Sequence, residues 1–305
     1  MRAVVLTTYG GPEHLAVSDV PEPGAPEPDG VLVRTAAAAV NPVDLQTRAG
    51  LHRGHSAVGP PMVLGWDVSG TVTAVGAEVT RFRVGDRVVA MSAQMATGRG
   101  TYAEAVALPE DLVAPAPASV PLTEAAGLPL AGLTARQALD LLALPPGASR
   151  LVQGAVGAGG GLAAQLARLR GLTVAAQVRS AADAERARAL GAERVLVGAD
   201  PADLPSGAFD GLLETAGLPG AVAAVRDDGR AVSIVPTRVP AAERGIRPVV
   251  SYVEQDGTGL AVLSGLVDRG DLTLRTAKAL GFEEAGEAHR LLAAGGVRGK
   301  LLLLP

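Results

Sequence analysis

A strand that runs into a cluster of glycines and then into a helix restricts this chain more than any other feature. Leu151-Val152-Gln153 is apolar and β-prone, glycines follow at Gly154, Gly157, Gly159, Gly160 and Gly161, and a helical pattern continues through Gln165 and Leu166. A turn of this kind lets the backbone approach an anion with no Cβ in the way. The helix beyond it offers unpaired N–H groups and a partial positive charge. The spacing is Gly154-x-x-Gly157-x-x-Gly160, not the common G-x-G-x-x-G, and a tight strand-to-helix turn without a ligand also satisfies it. The surroundings favour the ligand reading. A strand at Ser149–Gln153 precedes the turn, a helix at Gly160–Leu169 follows it, and the next strand comes at Thr173–Gln177. Gly154, Ala155, Gly157, Ala158, Gly159 and Gly160 are the expected pyrophosphate contacts, with Gly157 and Gly160 as the points of closest approach.

The end of the second strand reads the ribose of such a ligand. An acid there binds the 2′-hydroxyl, and a basic or hydroxyl residue receives a 2′-phosphate. The strand ends Gln177-Val178-Arg179-Ser180, so Arg179 and Ser180 are expected to hold a phosphate. The expected cofactor is NADPH, with NADH open. A solvent-facing Arg179 and a helix-capping Ser180, boxed with Asp183 three residues on, fit the same letters.

Strand and helix signals go on alternating, with a helix at Ala181–Leu190 stopped by Gly191 and strands at Arg194–Val197, Gly211–Glu214 and Ala231–Val235. This predicts a parallel sheet with right-handed crossovers. Before it, Thr123–Leu144 reads as broken helix, and Pro145-Pro146-Gly147 stops it. The first 120 residues differ, with short strands at Arg2–Thr7, Leu15–Val20, Gly30–Ala38, Gly70–Val79 and Gly85–Met91. The tail changes again, with a strand at Leu272–Thr276, a helix at Glu283–Ala294 and a final strand at Lys300–Leu304. The chain has 305 residues, more than one core usually holds. The expected division is 1–121, 122–262 and 263–305, an α/β protein with a doubly wound Rossmann sheet and a β-rich domain.

Several function classes drop out. There is no cysteine, hence no disulfide, thiolate metal site or cysteine nucleophile. His14, His52, His55 and His289 show no metal-ligand spacing, and His289 is expected on the surface of the tail helix. Net charge is −4 with the signs interspersed, which leaves no nucleic-acid footprint. No apolar run is long enough to span a bilayer, and the start has no signal-peptide layout, so a cytoplasmic protein is expected.

The ordered motifs resemble the medium-chain dehydrogenase/reductase superfamily, in its zinc-free quinone oxidoreductase (zeta-crystallin-like) branch. They are Asn41-Pro42-Val43-Asp44 with Arg48 and Gly50, Gly65-Trp66-Asp67-Val68-Ser69-Gly70-Thr71-Val72, Val84-Gly85-Asp86-Arg87-Val88, Gly100-Thr101-Tyr102-Ala103-Glu104, Leu133-Thr134-Ala135 and Gly299-Lys300. The resemblance implies a GroES-like domain interrupted by the Rossmann domain, with the tail returning to the first. It implies hydride transfer, without metal, from a reduced nicotinamide to a quinone or α,β-unsaturated carbonyl held between the domains. Trp66-Asp67 stands where zinc-binding relatives carry a His-Glu pair. By resemblance, Asn41 and Thr134 contact the nicotinamide end, Lys300 joins the cofactor residues, and Asp44 and Arg48 shape the cleft or brace the domain as an ion pair. His52 stands where the family often has Tyr, and either donates a proton or is an exposed loop residue. The family often has Lys where Asp183 stands and Tyr where Gly198-Ala199 stands, which leaves the dinucleotide preference open. A homodimer acting on a small molecule is expected. A redox-silent relative that cyclises or isomerises a metabolite, or a dinucleotide-holding interaction protein, is the alternative.

Overall fold

The computed structural model describes every residue of the chain except His55, Ser56, Ala57, Ala199, Pro201, Ala202 and Pro219. The expectations about His55 and Ala199 therefore lie outside the described residues. The chain divides into two compact units, Met1–Leu130 with Gln255–Gly270 and Leu274–Pro305, and Ala131–Glu254 with Asp271–Thr273. The boundaries expected at residues 121 and 262 thus move to 130 and 254.

The first unit is built on two sheets. In the smaller, β1 (Arg2–Leu6) pairs antiparallel with β2 (Leu15–Asp19) and β4 (Met62–Val63). The larger is ordered β15 (Thr276–Gly281), β16 (Lys300–Leu304), β3 (Gly30–Val40), β5 (Asp67–Val75), β6 (Arg87–Met91) and β8 (Val113–Pro115), with β7 (Ala105–Pro109) also on β3. The tail does return. Strand β16 pairs antiparallel with β3, Leu301 opposite Val40 and Leu303 opposite Ala38. Leu280, Phe282, Leu301 and Leu303 join Val4, Leu6 and Tyr102 in one core, which ties both chain ends together.

Helices α1 (Pro42–Ala49), α2 (Leu122–Ala125), α6 (Gly257–Asp268) and α7 (Ala285–Ala294) surround these sheets. Sequence reading missed α6, because glycines at 257, 259 and 265 weaken its helical signal. Its N-terminus is fixed by Asp256, whose carboxylate accepts the Gly259 N–H at 2.7 Å. The strand expected at Leu272–Thr276 lies instead at Thr276–Gly281, an edge strand whose exposed Ala277-Lys278-Ala279 carries no alternating pattern.

The second unit is one parallel sheet of six strands. Its order is β11 (Arg194–Val197), β10 (Thr173–Val178), β9 (Ser149–Gln153), β12 (Phe209–Glu214), β13 (Val225–Ser233) and β14 (Val249–Val250). Strands β9 to β11 step outward one way and β12 to β14 the other. The order therefore reverses between β9 and β12, where open α/β sheets bind ligands beyond the carboxyl ends of the strands. Helices α3 (Pro129–Leu142), α4 (Ala158–Leu169) and α5 (Ala184–Ala189) complete the fold. Among the described residues no helix is long and apolar enough to cross a membrane.

Candidate dinucleotide site and buried polar cluster

Strand β9 delivers the chain to the reversal point of the second unit. Gly154 turns it with φ +66°, a conformation that side chains with a Cβ rarely adopt. The turn closes with Gly157 N–H on the Gly154 carbonyl at 2.9 Å, and Gly157 becomes the N-cap of α4. Having no side chain, Gly157 caps none of the first-turn N–H groups, so those of Ala158, Gly159 and Gly160 are left for another acceptor.

The glycines differ in what they do. A Cβ on Gly160 would lie 2.3 Å from the Gly154 carbonyl oxygen, so the turn's own backbone fills that space. A Cβ on Gly157 would lie 3.2 Å from the same oxygen, while one on Gly159 meets only Ile234 Cδ1 at 3.6 Å. Gly160 therefore serves closure of the turn rather than the close approach expected of it. Ala155 is fully buried beneath the turn.

Sequence reading missed the group that holds the neighbouring strand end. Glu214, fully buried at the tip of β12, accepts N–H bonds from Ala216, Gly217 and Leu218 through one oxygen and the Ser233 hydroxyl through the other. This curls the chain so that the Thr215 hydroxyl donates to the Gln153 carbonyl at 2.5 Å. An acid ending an apolar strand was the available signal. Beside it, Gln153 Nε2 donates to Gln177 Oε1 at 2.8 Å, linking the tips of β9 and β10.

At the tip of β10, Arg179 is exposed, and the Ser180 hydroxyl is engaged within the chain. The Ser180 hydroxyl donates to Asp183 Oδ2 at 3.0 Å, and Asp183 Oδ1 accepts from Arg186 Nη1 at 3.3 Å. Asp183 is buried, at 3% exposure. The capping box expected of Ser180 is thus a hydroxyl-to-carboxylate bond, with no side-chain cap of the helix by Ser180. Thr134 stands on α3 in this unit, buried, and its hydroxyl has no partner among the described residues.

The first unit gathers Asn41, Asp44 and Lys300, and adds Asp67 and Tyr102. The Asn41 Nδ2 group donates to Asp67 Oδ2 at 2.9 Å and to the Ala39 carbonyl at 3.2 Å, while its Oδ1 accepts from Lys300 Nζ. Lys300 Nζ also lies 2.9 Å from Asp67 Oδ2, and Asp67 Oδ1 accepts the Leu130 N–H at 2.7 Å. All three side chains are at least 95% buried. Lys300, expected among the cofactor residues, is placed inside this closed set. Asp44, third in α1, accepts the Asn41 N–H at 2.8 Å and the Tyr102 hydroxyl at 3.0 Å. Burial outweighs both bonds and raises its pKa to about 7.

Two expectations fail here. Asp44 and Arg48 form no ion pair, and the Arg48 Nε and Nη1 are buried without a partner among the described residues. His289 is not on the surface. It is fully buried, edge-on to the Tyr102 ring at 6.1 Å, and burial pushes its pKa down to about 3. His52 lies just after α1, its Nε2 3.2 Å from Gln46 Oε1. Among the described residues no three His, Asp or Glu side chains group as metal ligands would.

Comparison with known proteins gives this geometry a family. Residues 27–118 match the alcohol dehydrogenase GroES-like domain and residues 190–303 the zinc-binding dehydrogenase domain. A quinone oxidoreductase of Pseudomonas aeruginosa is 31% identical over all of this chain and 99% of its own. An NADPH-dependent alkenal/one oxidoreductase of Arabidopsis thaliana is 31% identical over all of this chain and 80% of its own. Among solved structures, an NAD-dependent alcohol dehydrogenase superposes with TM-score 0.88 at 32% identity, covering all of both chains. The quinone oxidoreductase of Coxiella burnetii superposes with TM-score 0.87 at 27% identity, covering all of this chain and 99% of that one. With a glycine turn at the sheet's reversal point, a GroES-like first unit and full-length relatives of this kind, the chain belongs to the medium-chain dehydrogenase/reductase superfamily, in its quinone oxidoreductase-like branch.

Proposed function

We propose that this protein is an NAD(P)H-dependent oxidoreductase that reduces a quinone or an α,β-unsaturated carbonyl compound. The observation that carries the reading is the glycine turn, with its uncapped α4 N-terminus at the reversal point of a parallel sheet. The relatives named for quinone and alkenal/one reduction support the choice of acceptor. When bound, the reduced nicotinamide supplies the hydride, and a conjugated acceptor takes it without a Lewis acid.

The N–H groups of Ala158, Gly159 and Gly160 hold the diphosphate, with Gly159 leaving the nearest open space. The Thr134 hydroxyl, buried and unpartnered, orients the nicotinamide end by hydrogen bonding its carboxamide. Asn41 and Asp44 act as positioning residues: the Asn41 amide is committed to Asp67, Lys300 and the chain itself, and Asp44 Oδ2 accepts the Asn41 N–H and the Tyr102 hydroxyl, while its Oδ1 has no partner among the described residues. His52 remains the candidate proton donor, being half-buried rather than sealed. The assembly we propose is a homodimer. Support comes from the edge strand β14 and the chain just after it, which leave Val249 and Tyr252 exposed at 49% and 70%.

Following the absorbance of reduced cofactor with a panel of quinones and enones tests the activity. Turnover is expected with one class or both. Cofactor binding with no turnover across the panel defeats the redox reading and favours a dinucleotide-holding interaction protein. For Thr134→Val, weaker binding of the reduced cofactor, by about tenfold for one lost hydrogen bond, is expected.

A further inference from the structure

The tip of β10 carries two cations, a hydroxyl and an acid, and the structure distributes them unevenly. The Ser180 hydroxyl has one proton, and Asp183, as an ionised carboxylate, can only accept. The 3.0 Å contact therefore commits that proton to Asp183, and Ser180 turns only lone pairs toward anything else. Arg186 is likewise paired, its Nη1 3.3 Å from Asp183 Oδ1. Arg179 is an exposed cation next to the strand end, whereas Arg186, also exposed, turns one nitrogen to Asp183 and the Ala182 carbonyl. A 2′-phosphate is a dianion that needs donors, whereas a ribose 2′-hydroxyl needs only one modest partner. At this tip the dianion would find Arg179, an already committed hydroxyl and the negative charge of Asp183, which also draws on Arg186.

From this we infer that Asp183 sets cofactor selectivity: by holding the Ser180 proton and the Arg186 guanidinium, it denies the 2′-phosphate its donors and makes the protein bind NADH at least as tightly as NADPH. The inference rests on the reading that the glycine turn holds a dinucleotide. It departs from the expectation of NADPH drawn from Arg179 and Ser180 together. Asp183 touches one hydroxyl and one cation, so removing it releases both at once and takes away a negative charge.

Calorimetric titration of the full chain with NADH and NADPH is the test. The parent protein is expected to bind NADH at least as tightly as NADPH. In Asp183→Ala, NADPH affinity is expected to rise about tenfold, the scale of a charge-assisted hydrogen bond, with NADH within about twofold of the parent. Ser180→Ala is the second variant should Asp183→Ala fail to fold. Because that hydroxyl is already spent, its removal is expected to leave NADPH affinity within about twofold. A parent that prefers NADPH, an unchanged NADPH affinity in Asp183→Ala, or a tenfold NADPH loss in Ser180→Ala overturns the inference. If the parent binds neither dinucleotide, the dinucleotide reading itself fails, an outcome distinct from all of these.

Discussion

Lys300 in the first unit and Arg150 in the second are both sealed from water, at 5% and 0% exposure, and they meet opposite circumstances. The Lys300 ammonium sits between the Asp67 carboxylate and the Asn41 amide, and Asp67 is satisfied on its other oxygen by the Leu130 N–H. The Arg150 guanidinium donates only to the Ala163 carbonyl, while its Nε and Nη1 have no partner among the described residues. Burial and the nearby Arg170 push its pKa down to about 9, and Arg170 already pairs with Asp140 at 2.8 Å. A buried charge is tolerable when its partners are buried with it and costly when they are not. In the first unit the charges close on one another and join β3, β5 and β16. In the second, β9 carries an unpaid cost behind the glycine turn.

Breaking the better-paired site gives the largest effect. Lys300→Met strands Asp67 without its cation and is expected to cost about 3–5 kcal/mol, read by denaturant unfolding. Repairing the worse one works in the other direction. Arg150→Met replaces unpaired donors with apolar volume and is expected to stabilise by about 1–3 kcal/mol. A destabilised Arg150→Met protein would mean that the guanidinium has partners after all.

The comparison sharpens through pH. Asp44 holds its proton more tightly folded, at about 7, than its ordinary value of 3.8. Its contribution is therefore most favourable below about pH 4 and is lost as pH rises through about 7. His289 behaves oppositely. Folded it resists protonation down to about 3, against 6.5 ordinarily, so its contribution is lost as pH falls below about 6.5. Between about pH 4 and 6.5 the two trends offset. Asp44→Asn is expected to leave a protein that weakens on acidification there, and His289→Phe one that strengthens. Urea midpoints across that range read both, and parallel curves for the two variants would contradict these assignments. The smallest effect belongs to Gly159, in contrast to its neighbour Gly160. Gly160→Ala is expected to cost about 1–3 kcal/mol by crowding the Gly154 carbonyl, whereas Gly159→Ala leaves stability within about 0.5 kcal/mol of the parent.

Much of this architecture was readable from local pattern. The strand at Ser149–Gln153, the helix ending at Leu169 and the final Lys300–Leu304 strand are written in runs of apolar residues bounded by glycine and proline. Helix α6 and strand β15 were not, because packing holds a glycine-rich helix and an exposed edge strand that have little pattern of their own. The site was legible at the glycine turn, where backbone conformation dictates residue type. It was not legible at Ser180, Lys300 or His289. At Lys300 and His289 the role depends on a group that only the fold brings near, Asp67 and Tyr102 in turn, while at Ser180 the partner Asp183 was legible but not that it takes the hydroxyl proton. Sequence distance hides such partners, as with Lys300 and Asn41 at opposite ends of the chain.

A crystal structure of the protein with its reduced dinucleotide tests the central claim most directly. Diphosphate oxygens are expected about 3 Å from the N–H groups of Ala158, Gly159 and Gly160, as hydrogen bonding requires. A dinucleotide seated elsewhere, with those N–H groups facing only water, would contradict it.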